Sequence, residues 1–192
     1  MKLFPLFIEQ LAVVSSLMYV GLAAKENRWC WMFGGIGSAL YVYINFSYAL
    51  YFDTLLQLYY VGVSVYGWMF WSALPSNESA AIRRIDKMQL VWLMGVATVI
   101  TLFLGQFGKK YLSQESFSFL DAGVTVFSLL ATWMTARKYL ENWLLWIAID
   151  AAAAYMYYLK SLLATSMLYV AFCALAVYGF YSWKQRLVER EN

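Results

Sequence analysis

Seven stretches of 17 to 21 predominantly apolar residues succeed one another along this chain, approximately at 4–24, 29–47, 52–72, 88–106, 117–136, 143–159 and 165–183. About 20 apolar residues in a helix cross a hydrocarbon layer of roughly 30 Å, so each stretch is long enough to span a bilayer. Of the 192 residues, 63% are hydrophobic and only 13% charged. A soluble globule of this size could not hide that much apolar surface. Two Pro and two Cys leave no basis for a collagen-like or disulfide-rich scaffold. The expected fold class is an all-α polytopic membrane protein with seven transmembrane helices.

The first stretch could pass for a signal peptide, because Leu22-Ala23-Ala24 resembles a small-residue cleavage site. Glu9 and Gln10 interrupt its apolar core and a later span repeats its pattern, so retention is expected. Lys and Arg set the expected orientation. Lys25, Arg28, Arg83, Arg84, Lys87, Arg137, Lys138, Lys184, Arg186 and Arg190 fall on one side, against Lys2, Lys109, Lys110 and Lys160 on the other. The positive-inside rule assigns the first group to the cytoplasm, with the N-terminus outside and the C-terminus inside. Cys30 and Cys173 lie at unrelated depths and read as reduced thiols.

Self-comparison reveals an internal repeat. Phe7-Ile-Glu9 aligns with Phe119-Leu-Asp121 at a spacing of 112, and Val65-Tyr-Gly-Trp-Met-Phe-Trp71 with Val177-Tyr-Gly-Phe-Tyr-Ser-Trp183 at the same spacing. Between them, Glu26-Asn27 and Trp31 match Glu141-Asn142 and Trp146 at 115, which makes Gly35 the counterpart of Asp150. The implied organisation is a three-helix repeat over 1–72, a linker with a connecting fourth helix (about 88–106) over 73–116, and a second repeat with a cytoplasmic tail over 117–192. One connecting helix leaves both copies the same way up, a 3+1+3 parallel arrangement. Parallel repeats of this kind occur in transporters whose substrate site lies near the midplane between the halves.

Polar groups inside hydrocarbon are costly, and each calls for a reason. Asp150 sits mid-depth in the sixth span, one helical turn from Trp146 and followed by an alanine run. A lone acid within a duplicated scaffold suits an asymmetric small molecule. Gln57 and Tyr60 in the third span, Asn45 in the second, Tyr157 in the sixth and Trp31 at the start of the second complete the candidate substrate contacts, although interhelical hydrogen bonding explains several equally well. An interfacial aromatic belt is the expected role of Trp29, Trp71, Trp143 and Trp183. Glu9 and Asp121 occupy equivalent places in the two copies and read as structural polar residues.

The sequence has no His, no Gly-rich phosphate loop, no His-Glu metal helix and no Gly-x-Ser-x-Gly elbow. No catalytic residue, metal or cofactor is expected. A net charge of +3 is too weak to suggest a nucleic-acid partner. No Lys or Arg falls mid-span, so the expected cargo is neutral or cationic, and aromatic faces suit a flat ring or a cation. An intramembrane enzyme using Asp121 and Asp150 as acid and base is the alternative from another class.

Asp121, the block Ala136-Arg-Lys-Tyr-Leu-Glu-Asn-Trp-Leu-Leu-Trp-Ile-Ala-Ile-Asp150, Leu50-Tyr-Phe-Asp-Thr-Leu-Leu-Gln57 and Tyr66-Gly-Trp68 through Trp71 together resemble the PnuC family of bacterial vitamin transporters. The resemblance spans nearly the whole chain. It implies two parallel three-helix bundles joined by one helix, as in enlarged SWEET proteins, assembled as a homotrimer in the bacterial inner membrane. It also implies facilitated diffusion of a water-soluble vitamin, trapped in the cytoplasm through phosphorylation by a separate kinase. Trp146 and Gln57 match positions expected at the substrate. Members that carry nicotinamide riboside commonly have Asn where Asp150 stands, and a carboxylate suits an aminopyrimidine or thiazolium. Thiamine is therefore the first expectation for the cargo and nicotinamide riboside the second.

Overall fold

The computed structural model describes residues 3–47, 51–73, 82–111 and 119–191. Among these, seven α-helices coincide with the seven expected spans: α1 Leu3–Ala24, α2 Trp29–Ser47, α3 Tyr51–Ser72, α4 Lys87–Tyr111, α5 Phe119–Ala136, α6 Asn142–Leu159 and α7 Leu163–Glu191. Three of them, over Lys87–Gly108, Phe119–Ala136 and Leu163–Glu189, are by length and composition alone apolar enough to cross a membrane. Pro5 is accommodated in the first turn of α1, where backbone N–H groups have no intrahelical acceptor. Asp86 caps α4, its carboxylate accepting from the Met88 and Gln89 N–H groups at 2.9 and 3.2 Å.

The described residues form two compact units. One comprises Met1–Ile82, Ala136–Lys138 and Tyr181–Asn192, the other Arg83–Thr135 and Tyr139–Phe180.

In the first unit α1 packs on α2 and α2 on α3. Gly34 and Gly35 meet Ser64, and Gly67 receives the Trp31 indole so closely that a Cβ has no room. Trp31 is 1% exposed, with Tyr19 and Trp71 edge-on to it at 5.6 and 5.5 Å. Each such edge-to-face pair contributes about 0.5–1.5 kcal/mol beyond the area it buries.

The α1–α2 turn is held by a dense polar cluster. Glu26 adopts a left-handed φ of 55°, the place after a helix where glycine is usual. Its N–H and that of Asn27 donate back to Ala23 O and Leu22 O at 2.9 Å each, closing the helix end. Lys138, also left-handed at φ 56°, donates its ammonium to Glu26 Oε2 at 3.0 Å, with only 5% and 7% of the two side chains exposed. Arg186 donates to Glu26 Oε1 and to the Lys25 carbonyl at 3.0 and 2.9 Å. The Lys138 ammonium also lies 4.5 Å from the Trp71 ring centroid. Trp71 Nε1 donates to Ala136 O, and Trp183 Nε1 to Ala23 O, both at 3.0 Å. Each indole thus satisfies a carbonyl at the end of a helix that has run out of its own donors.

In the second unit the chain entering α4 is tied to the α5–α6 turn. Leu140 N–H donates to Arg83 O, and Ile85 N–H to the Glu141 carboxylate, both at 3.0 Å. The Arg83 guanidinium lies over the Tyr139 ring at 4.5 Å, above a core of Ile85, Met134 and Tyr139. α6 and α7 meet where Ser166 Oγ donates to Ala154 O at 2.8 Å. They meet again where Gly179 admits the Trp143 indole, 2.7 Å from where a Cβ would stand.

These local geometries correct the repeat register. Hydrogen bonds from Asn27 to Leu22 O, Cys30 to Asn27 O and Trp31 to Arg28 O recur from Tyr139 to Met134 O, Asn142 to Tyr139 O and Trp143 to Leu140 O. The left-handed residues Glu26 and Lys138, the Trp–Gly contacts and the capping tryptophans recur at the same spacing, 112. The counterpart of Trp31 is therefore Trp143, not Trp146, and that of Asp150 is Ser38, not Gly35. Of the four tryptophans expected in an interfacial belt, Trp29 is 46% exposed, whereas Trp71, Trp143 and Trp183 are buried. Their rings fill glycine notches or cap carbonyls instead of lying at the lipid boundary.

Gly67→Ala and Gly179→Ala are expected to destabilise the protein by about 1–3 kcal/mol each through overpacking against indoles. Gly95→Ala, with no atom within 4 Å of its Cβ, is expected to cost nothing. Thermal unfolding in detergent measures the difference. Glu26→Gln strands a buried ammonium and should cost about 3–5 kcal/mol. Glu26→Gln with Lys138→Met should regain most of that loss in the same assay, and failure to regain it would show that the pair is not the source.

Candidate functional site

The sequence-expected contacts divide between the two units. Within the first, the α3 face carrying Gln57, Tyr60, Ser64, Gly67 and Trp71 repeats at helical spacing, and its lower part is buried against α2. The antiparallel register, Trp31 against Gly67 and Gly34 against Ser64, sets Asn45 opposite residue 53, one turn from Gln57. Asn45, Gln57 and Tyr60 are half-buried along this single α2–α3 seam. Tyr60 has Tyr59 edge-on at 5.8 Å. Trp31, at the other end of the seam, is buried against Tyr19, Gly67 and Trp71.

Within the second unit, Trp146, Asp150 and Tyr157 follow one another along a single face of α6. Asp150 is 5% exposed in mid-helix, and no described residue donates a hydrogen bond to its carboxylate. The face continues into Ala153 and Ala154, both buried, whose short side chains keep α6 close to its neighbour. α7 touches this face on either side of Asp150, through Cys173 Sγ to Ile147 O at 3.7 Å and Ser166 Oγ to Ala154 O at 2.8 Å. Cys30 and Cys173 are both free thiols.

The two aromatic members of the face are fixed. Trp146 Nε1 donates to Thr135 Oγ1 on α5 at 3.2 Å. Thr135 in turn bonds the Asn142 amide oxygen at 2.9 Å, and Asn142 Nδ2 donates to Tyr139 O at 2.6 Å. The indole N–H is thus spent on holding the ring in place, which leaves the π-face as the part that can meet a ligand. Tyr157 is stacked on Tyr169 of α7, centroids 5.3 Å apart and 14° from parallel, and Tyr169 meets Phe172 edge-on at 5.9 Å. Sequence reading missed Tyr169 and Phe172. At the corrected spacing they are the counterparts of Gln57 and Tyr60, and that correspondence was the signal available.

Asp121 pairs with Lys160 at 3.1 Å, a partly exposed bridge just beyond the end of α6. Lys160 follows Asp150 by ten residues of helix, roughly 15 Å at 1.5 Å per residue, so Asp121 and Asp150 cannot act on one reacting atom. The side chain of Glu9 lies outside the described residues. Among the described residues no group of His, Cys, Asp or Glu could hold a metal. The arrangement sets a buried carboxyl group and aromatic surfaces on the same helix face.

Residues 6–185 match the family model described as nicotinamide mononucleotide transporter. The chain is 29% identical to the nicotinamide riboside transporter PnuC of Escherichia coli (strain K12), over 96% of this chain and 87% of that protein. It is 25% identical to the nicotinamide riboside transporter PnuC of Neisseria mucosa, over 97% and 74%. It is 22% identical to the riboflavin/roseoflavin transporter RibM of Streptomyces davaonensis, over 88% and 81%. In fold it is similar to a crystal structure of the vitamin B3 transporter PnuC, with a TM-score of 0.73 at 22% identity, covering 95% of this chain and 83% of that one.

Proposed function

The chain belongs to the nicotinamide mononucleotide transporter family, and from that premise we propose that it is a membrane transporter for nicotinamide riboside. The carrying observation is Asp150, a buried carboxylate with no donor from any described residue, sharing a helix face with Trp146 and Tyr157. Nicotinamide riboside presents a flat pyridinium and a carboxamide whose N–H groups a carboxylate can accept. An anion in a low-dielectric setting attracts such a cation strongly. The thiamine expectation rests on one residue, Asp150 in place of Asn. A pyridinium is served as well by that carboxylate as a thiazolium, and two of the three relatives described above are named for nicotinamide riboside.

Asp150 and the π-face of Trp146 contact the ring of the cargo, with Tyr157 beside them. In the first unit, Asn45, Gln57 and Tyr60 place neutral hydrogen-bonding groups along the α2–α3 seam. Transport is facilitated diffusion, sustained by intracellular phosphorylation through a separate kinase. The chain lies in the bacterial inner membrane with its N-terminus outside and its C-terminus in the cytoplasm, in a 3+1+3 parallel arrangement and as a homotrimer. Supporting the orientation, most Lys and Arg residues fall on one side. The repeated turn geometry at a spacing of 112 supports the duplicated arrangement.

Titration of the purified protein with nicotinamide riboside, thiamine and riboflavin, followed by Trp fluorescence, tests the assignment. Nicotinamide riboside is expected to bind most tightly, and Asp150→Asn to weaken it by about 1–3 kcal/mol. Tighter binding of thiamine would overturn the choice of cargo. In liposomes, nicotinamide riboside is expected to equilibrate without accumulating under a pH gradient. Accumulation would show proton coupling and refute simple diffusion.

A further inference from the structure

At the corrected register the landmark residues of the two copies match, while the side chains along the two seams differ in kind. Trp31 and Trp143, Gly67 and Gly179, and Trp71 and Trp183 are retained in kind and in role. Along the middle of the α2–α3 seam stand Ser38, Asn45, Gln57 and Tyr60, while the matching α6–α7 positions hold Asp150, Tyr157, Tyr169 and Phe172. Three hydrogen-bonding side chains are thus exchanged for an acid and two phenols, and a fourth position, phenol in one copy, becomes a plain benzene ring.

From this contrast, and resting on the reading of the chain as a carrier of a cationic nucleoside, we propose that Tyr169 and Phe172 on α7 form with Tyr157 the aromatic subsite that selects a positively charged ring beside Asp150. The contacts Ile147–Cys173 and Ala154–Ser166 bracket Asp150 on α6 and residues 169–172 on α7, so the acid and these rings share one stretch of the seam. Alanines at 153 and 154 leave α6 without bulk there, and aromatic rings from α7 supply the surface instead. Tyr157 and Tyr169 are already in contact at 5.3 Å, so a ligand ring adds to the pair and does not enter between its members. The Lys160 ammonium, bound by Asp121 at 3.1 Å, stands 5.9 Å from the Tyr157 centroid. Aromatic faces carry negative potential, and beside a carboxylate they favour a pyridinium over the same ring without charge.

The test compares nicotinamide riboside with its reduced, uncharged dihydro form, using wild type, Tyr169→Leu, Tyr169→Phe and Phe172→Leu. Tyr169→Leu is expected to weaken nicotinamide riboside by about tenfold and to lower its preference over the reduced form. Tyr169→Phe keeps the ring face and should retain wild-type selectivity, and Phe172→Leu should shift selectivity in the same direction as Tyr169→Leu. Wild-type binding with selectivity unchanged in both Leu variants overturns the subsite and leaves the carrier assignment standing. Equal loss in Tyr169→Leu and Tyr169→Phe assigns the residue to its hydroxyl and also overturns it. Absence of nicotinamide riboside binding by wild type overturns the carrier reading, and this subsite with it.

Discussion

The ends of helices in a mostly apolar chain pose the problem on which this structure depends. A helix leaves its last carbonyls without donors, and away from water each one is expensive. Here the solution at the α1 and α5 ends is shared. Backbone N–H groups of the following turn close the ends, indoles from α3 and α7 donate to the remaining carbonyls, and a buried ion pair neutralises the turn that left-handed residues make possible. Residues 136–138 and 181–192 fold with the first 82 residues because these bonds hold them there.

The same physics explains why Asp150 stands apart. Glu26 is buried with two cations and Asp121 is bridged by Lys160, so each anion has its complement within the chain. Asp150 is as deeply enclosed as Glu26, yet no described residue donates to it. A fold that caps helix carbonyls with tryptophans but leaves a carboxylate open is economically explained if the complement arrives from outside.

The seven helices were legible because hydrophobic runs of bilayer length admit few other folds, and the glycine and tryptophan landmarks marked the turns whose geometry recurs. The register of the repeat was not legible. Trp143 and Trp146 lie on adjacent turns, so a comparison of letters matches Trp31 to either, and the recurring turn bonds and the notch at Gly179 decide. The roles of Trp71 and Trp183 were hidden for a related reason. An indole near a helix end satisfies the requirements of a lipid boundary and those of a carbonyl cap equally well, and the choice depends on a partner 65 or 160 residues away. Asp150 was visible because charge inside an apolar run is conspicuous, whereas Tyr169 and Phe172 were camouflaged among the many other aromatic residues.

The Glu26–Lys138 bridge joins the same site in each copy of the duplication, and the two sites bear opposite charge. Two identical half-length chains meeting at that point would confront carboxylate with carboxylate, or ammonium with ammonium. With an acid on one turn and a base on the other, neither segment can stand in for its partner at this contact.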